Sequence, residues 1–199
     1  MLERAKEVTS QGKYTNIEYA RFADDLVILV NGISKWKWLL EAAYKRLIQE
    51  LDKLGVKVNS SKTRIVDLTK KQTFNFLGFV YRRFKTQRGK WMVTIRPKIK
   101  ARTALLRKLR EIFHKYRSQQ VNQIVQLINP ILRGWVNYFR IGHSSKCFCY
   151  VKGWVEKKIR RHLQRVRKRH GFGWNRWSSA WLYNTLGLYS DYQIRYYQA

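Results

Sequence analysis

Acidic side chains are what this chain has least of: 12 Asp and Glu stand against 42 Lys and Arg in 199 residues, a formal charge of +30. Self-repulsion on that scale argues against most small-molecule enzymes and fits a protein that wraps a polyanion, nucleic acid first. Proline is nearly missing, at two residues, while 45% of the sequence is hydrophobic and 15% aromatic. That balance excludes a disordered or low-complexity polymer and allows a packed core. Cysteine is equally scarce. Cys147 and Cys149, separated by one residue, make neither a disulfide framework nor the ligand spacing of a zinc module. His114, His143, His162 and His170 lie scattered among basic residues, which argues against a metal or general-base cluster. No apolar run approaches the roughly 18–20 residues of a membrane span, and the opening MLERAKEV has no signal-peptide core. The expectation is a cytoplasmic protein associated with nucleic acid and away from membranes.

The charge is divided unevenly. Residues 1–67 hold 12 Lys/Arg and 9 acids, whereas residues 68–199 hold 30 Lys/Arg and three acids, Glu111, Glu156 and Asp191. The first part, nearly balanced, contains the adjacent pair Asp24-Asp25 and points to chemistry. The second is a cation interleaved with aromatics and points to binding.

Apolar patterning places a hairpin over Ile17 to Val30 with Ala23-Asp24-Asp25 at its tip. An amphipathic helix over roughly Ser34 to Leu54 follows, stopped by Gly55. Strands are predicted at Val56–Val58, Arg64–Leu68, Phe74–Phe84 and Trp91–Arg96, the last two joined through Gln87 to Lys90. From Pro97, read as a first-turn proline, the pattern turns helical, with Leu105, Leu109, Ile112, Phe113 and Tyr116 on one stripe. A helix over about Val121 to Ile128 is read as interrupted by Asn129-Pro130, with a separate helical segment after it. Ser145 to His170 carries Phe148, Val151, Val155, Ile159, Leu163 and Val166 at helical spacing, with Lys158, Arg161, Arg165 and Lys168 on another face. Like charges stacked in this way cost a few tenths of a kcal/mol per pair, a cost that phosphates would offset. Phe172, Trp174, Trp177, Trp181, Tyr183, Tyr189, Tyr192, Tyr196 and Tyr197 crowd the tail. For the tryptophans core packing is the favoured role; for the final tyrosines packing and base stacking stay open.

An Asp-Asp at a hairpin tip is often only a turn former. Here an apolar strand backs the acids and a cationic chain surrounds them, an arrangement that suits divalent cations where a phosphate chain arrives. RFADDLVILV resembles the Tyr-x-Asp-Asp motif of reverse transcriptases, with Phe22 in place of the tyrosine. The rest of the chain is similar to group II intron reverse transcriptase/maturases. GVKVNSSKTRIVDL and FNFLGFVY resemble the following polymerase blocks. INPILRGWVNYFRIG, CFCYVKGWVEKKIRRHL and GFGWNRWSSAWLYNTLGLY resemble the maturase-specific domain.

The resemblance implies an α+β chain: part of a reverse-transcriptase palm over residues 1–96, β-hairpins with one helix, then an all-helical thumb and maturase domain over 97–199. It implies a magnesium-dependent nucleotidyltransferase, an RNA-directed DNA polymerase that also assists intron splicing and mobility. Asp24 and Asp25 become catalytic metal ligands, with Phe22 beside them. Lys62 contacts the nucleotide, and Phe76, Leu77, Gly78 and Phe79 position the primer end. Arg133, Arg140, Lys157, Lys158, Arg161, Arg165 and Lys168 become the RNA-binding set. The implied partners are group II intron RNA and an RNA template with a DNA primer. So aligned, the chain starts just ahead of the hairpin, without the upstream aspartate of the family's metal triad. It is therefore expected to be a C-terminal portion, inactive as a polymerase alone, with the N-terminal polymerase portion or a second copy as a further partner. The alternative is a non-catalytic maturase fragment that only stabilises folded intron RNA.

Overall fold

The structure, a computed structural model, describes residues 16–168 and 170–195. It is α+β: two small antiparallel sheets come first and long helices follow. The chain divides into two compact units, described residues 16–76 with 82–92, and 77–81 with 93–195.

In the first unit the predicted hairpin forms from β1 (Ile17–Phe22) and β2 (Asp25–Val30), in a register that sets Ile17 opposite Val30 and Phe22 opposite Asp25. Strand alternation puts Ile17, Tyr19, Ile28 and Val30 on one face, and Glu18, Ala20, Phe22, Asp25, Val27 and Leu29 on the other. Helix α1 (Lys37–Lys53) follows a 3₁₀ turn at Ser34–Trp36. Gly55, at φ 67°, stops it as expected: Gly55 N donates to Asp52 O and Val56 N to Leu51 O, the paired bonds of a glycine-terminated helix.

The strands expected at Val56–Val58 and Arg64–Leu68 do not form; the segment is irregular. Asn59 organises it by accepting from the backbone N of Ser61 and Lys62, and Asp67 caps a 3₁₀ turn over Leu68–Lys70. Val56 and Ile65 are exposed, and a β-favouring side chain with no strand beside it gains nothing from extended backbone. Among the described residues of this unit, Ile17 and Ala43 alone are fully buried hydrophobics, while Phe22, Ile33, Trp38, Leu54 and Ile65 lie open.

The second sheet has the order β3 (Thr73–Phe76), β4 (Phe79–Lys85), β5 (Trp91–Pro97). The single strand predicted over Phe74–Phe84 is broken at Leu77-Gly78. Both residues have positive φ, 47° and 76°, the requirement of a tight two-residue hairpin turn. Pro97 closes β5 instead of opening a helix, which starts two residues later.

The second unit is built on α2 (Ile99–Lys115), α3 (Val121–Phe139) and α4 (Ser145–Val166). Pro130 does not divide α3. Ile124, Val125, Ile128, Leu132, Val136 and Phe139 run through it as one buried stripe, and this burial outweighs the one intrahelical bond that the proline removes. The predicted stripe of α4 is buried from Phe148 to Leu163, but Val166 is 58% exposed and the helix ends there, short of His170. Trp177, Leu182 and Leu188 complete the core, with Trp181, Tyr183, Tyr189 and Tyr192 packed against it. The tail rings are thus mainly core; Tyr196 and Tyr197 lie outside the described residues. Among the described residues no helix is long and apolar enough to cross a membrane.

Candidate nucleic-acid interface

The Asp-Asp tip is a two-residue turn: Ala23 and Asp24 link the strands, and Asp25 opens β2 opposite Phe22. Ala23 adopts φ 50°, a left-handed conformation that side chains other than glycine adopt at a cost. Arg21 braces it, donating from Nε to Ala23 O at 3.1 Å. Phe22, Asp24 and Asp25 are all exposed. Glu18 shares Asp25's face, yet at four residues from Phe22 along β1 it stands ~13 Å from the tip. Among the described residues no group of three His, Cys, Asp or Glu side chains could together hold a metal ion. Two adjacent carboxylates still fit Mg²⁺, which commonly takes one or two carboxylates and completes its shell with water and substrate phosphate oxygens.

Lys62 is exposed within the turn built on Asn59. Leu77 and Gly78 form the β3–β4 turn. Tyr138 donates its hydroxyl to Leu77 O and Lys98 N donates to Gly78 O, while a Cβ on Gly78 would meet Phe139 at 3.4 Å. Phe79 packs on Tyr138 and Phe139. Phe76 is half-buried at the end of β3.

The helical unit concentrates the charge. A cleft of about 340 Å³ runs between the C-terminal turns of α2 and the second half of α4, lined by Arg110 and Arg117 from the α2 side and by Lys158, Arg161 and Arg165 of α4. Phe113, His114 and His162 complete its lining. Among the described residues, none of these five cations pairs with a carboxylate. Burial lowers the pKa of Lys158, and the positive charges of Arg161, Arg110 and Arg165 lower it further. Burial also lowers that of His162, with Arg165 adding to the effect, against a hydrogen bond between its Nε2 and Gln119 O at 2.9 Å.

Of the predicted RNA-binding set, Lys158, Arg161 and Arg165 come together in this cleft. Arg133, Lys157 and Lys168 are exposed and do not line it. Arg140 is set apart: 5% exposed, it donates to Asp191 at 2.9 Å and to the Tyr189 hydroxyl, and so ties down the tail. Sequence reasoning missed Arg110, His114 and Arg117. Their signal was a basic stripe at three- and four-residue spacing that flanks the core stripe of α2. It also missed a buried network in which Glu156 accepts from Arg160, Ser179 and Tyr183 while Arg160 donates to Trp177 O. There the signal was an acid four residues before an arginine on an otherwise cationic helix.

Comparison with known families matches residues 1–81 to the reverse transcriptase (RNA-dependent DNA polymerase) family and residues 102–181 to the group II intron maturase-specific domain. Comparison with curated proteins finds no match. The two domains, in this order, define a class: a reverse-transcriptase segment carrying the Asp-Asp hairpin, joined to a helical maturase domain. The chain belongs to the group II intron reverse transcriptase/maturases. Its function is accordingly that of a reverse transcriptase and maturase, with nucleic acid as its partner, and reverse transcriptases generally use Mg²⁺.

Proposed function

We propose that residues 1–96 serve as a palm segment whose Asp24 and Asp25 hold Mg²⁺ for RNA-directed DNA synthesis, and that residues 97–199 form a thumb and maturase domain that clamps folded intron RNA. A magnesium ion bound there would activate the primer hydroxyl and stabilise the leaving oxygens. The chain's own residues present the site: the exposed Ala23-Asp24 turn holds the carboxylates forward, and the Arg21 bond fixes its backbone. Lys62 contacts the nucleotide phosphates. The Leu77-Gly78 turn, held by Tyr138 and Lys98, positions the primer end with Phe76 and Phe79. On the maturase side Arg133, Lys157, Lys158, Arg161, Arg165 and Lys168 face the RNA, and Arg140 supports them from the interior.

The observation that carries this reading is the cationic cleft on a helical unit whose fold places the cations of two helices together without a carboxylate partner. The separation of Glu18 from the tip supports a second element: a further polypeptide segment or a second copy supplies the third carboxylate, so polymerase chemistry needs more than this chain. The test is Mg²⁺-dependent primer extension on an RNA template by the purified chain, beside salt-dependent RNA binding. Binding without extension is the expected result. Extension abolished by Asp24→Asn would show that the carboxylates within reach suffice; failure to bind RNA would overturn the clamp.

A further inference from the structure

We infer that the cleft between α2 and α4 is a backbone-phosphate clamp, seating several consecutive phosphates of an RNA strand between Arg110 and Arg117 on one side and Lys158, Arg161 and Arg165 on the other. The inference rests on the RNA-binding reading above and extends it to a bounded site that draws two of its five cations from the α2 side.

Four observations carry it. First, the charges converge from two helices on one cleft of about 340 Å³, whereas a solvated basic helix face would turn its charges outward and apart. One phosphate carries one negative charge, so five cations match a stretch of backbone better than a lone anion. Second, two of the cations are held in place. Arg110 lies 5.7 Å and Lys158 5.4 Å from the centre of the Trp154 ring, which is itself set edge-on against Phe113. Cations held on an aromatic ring lose less freedom when a ligand arrives. Third, the seam continues: Arg102 of α2 lies 4.2 Å from the centre of the Tyr150 ring of α4, so the two helices run side by side in the same direction. From Arg102 to Arg117 they offer a cationic track of ~22 Å, longer than a single phosphate needs. Fourth, His162 is 3% exposed, lines the cleft, and has a buried Nδ1 without a hydrogen-bond partner. Clustered like charge without acids destabilises the free fold, and arginine forks are matched to phosphate oxygens. The cleft reads a charged backbone and leaves sequence to other contacts.

The experiment uses the intact chain and a fluorescein-labelled RNA hairpin of arbitrary sequence, with Kd measured by anisotropy across a salt series and thermal melting recorded without RNA. The double variant Arg110→Gln/Arg161→Gln is compared with Lys85→Gln/Arg88→Gln, which removes the same charge from the β4–β5 hairpin. The cleft variant is expected to bind about tenfold more weakly, with the slope of log K against log salt shallower by about 1.4–1.8 for two lost phosphate contacts. It is also expected to melt at the same temperature as the parent or higher, because repulsion has been relieved. The hairpin variant should lose less than half as much. Equal losses from both variants, or an unchanged Kd for the cleft variant while the parent binds, would overturn the clamp and leave RNA binding standing. A parent chain that does not bind the hairpin at low salt would overturn the RNA-binding reading together with the clamp. A cleft variant that melts lower would show that these cations support the fold, and would also count against the clamp.

Discussion

Arg160 stands four residues after Glu156 on the helix whose Lys158, Arg161 and Arg165 line the cleft, and it serves a different purpose. Its guanidinium is 1% exposed and donates to Glu156 at 3.1 Å, to Trp177 O at 2.8 Å and to Ser179 Oγ at 3.2 Å. Trp174 covers it, 4.2 Å from guanidinium carbon to ring centre. Breaking such a buried pair from one side leaves a charge without compensation, at about 3–5 kcal/mol. Arg160→Ala should therefore lower the melting temperature of the helical unit steeply. Glu156→Gln, which keeps a carbonyl for Tyr183 and leaves Arg160 bonded to Trp177 and Ser179, should cost less; the reverse order in thermal melts would contradict the network. The same residues set a pH dependence. Burial alone would raise the pKa of Glu156, but hydrogen bonds from Tyr183, Arg160 and Ser179 outweigh it and the net shift is downward. A carboxylate lowered in the folded state stabilises it above the ordinary carboxylate value and loses that contribution as pH falls through the folded one. His162 is lowered from 6.5 mainly by burial, so the unfolded chain protonates first and stability begins to fall as pH drops below that value. Melting temperature against pH should decline in two stages, one starting near pH 6.5 and one in the carboxylate range, and Glu156→Gln should flatten only the second. A melting temperature constant from pH 7 to 5 would rule out the first stage.

Helix α3 shows how one element organises its neighbours, and where sequence signals compete. Asn129 precedes Pro130, whose missing N–H leaves a gap in the helical ladder. The Asn129 side chain points to the tail, donating to Gly187 O at 2.8 Å and accepting from Tyr189 N at 2.9 Å. Loss of both bonds in Asn129→Ala should cost about 1–3 kcal/mol. Hydrogen exchange would show it as faster exchange over residues 187–195 with α4 unchanged; equal acceleration in α4 would mean that the tail and the helix open together. The paired elements of the first hairpin, α1 with its glycine stop, and the apolar stripes of α2 and α4 were legible, because each is a periodic pattern with a local terminator. The break predicted at Asn129-Pro130 weighed one proline above an apolar stripe that continues unbroken from Ile124 to Phe139, and the stripe decided. The strands at Val56–Val58 and Arg64–Leu68 were read from propensity alone, which packing overrides. In the candidate site the Asp-Asp turn was legible in its register. The cleft was not, since Arg110 and Arg161 are neighbours only after α2 and α4 pack, a non-local fact that no window along the chain contains.

Over the whole molecule the charge of +30 makes ionic strength act in two opposite directions. The described ion pairs are few: Glu50 with Arg46 and Lys53, Arg140 with Asp191, and Glu156 with Arg160. Two of these involve an arginine that is almost fully buried, where screening has least effect. Most of what salt can screen is therefore repulsion, above all among the cations of the α2–α4 cleft. Screening lengths shrink from about 10 Å at 0.1 M to about 3 Å at 1 M, so repulsion across the cleft fades over that range. The free chain should melt at a higher temperature at 0.5 M than at 0.1 M sodium chloride, the reverse of a fold held by surface ion pairs. RNA binding should move the other way. With five phosphate contacts the same fivefold rise in salt should weaken affinity by roughly 10²–10³-fold. The two measurements constrain each other because one cluster of cations underlies both. A free chain stabilised by salt whose RNA affinity is nearly independent of it would mean that the repelling cations are not those that meet the RNA. A chain destabilised by salt would mean that attraction dominates its surface, contrary to the 12 acids that the whole sequence sets against 42 Lys and Arg.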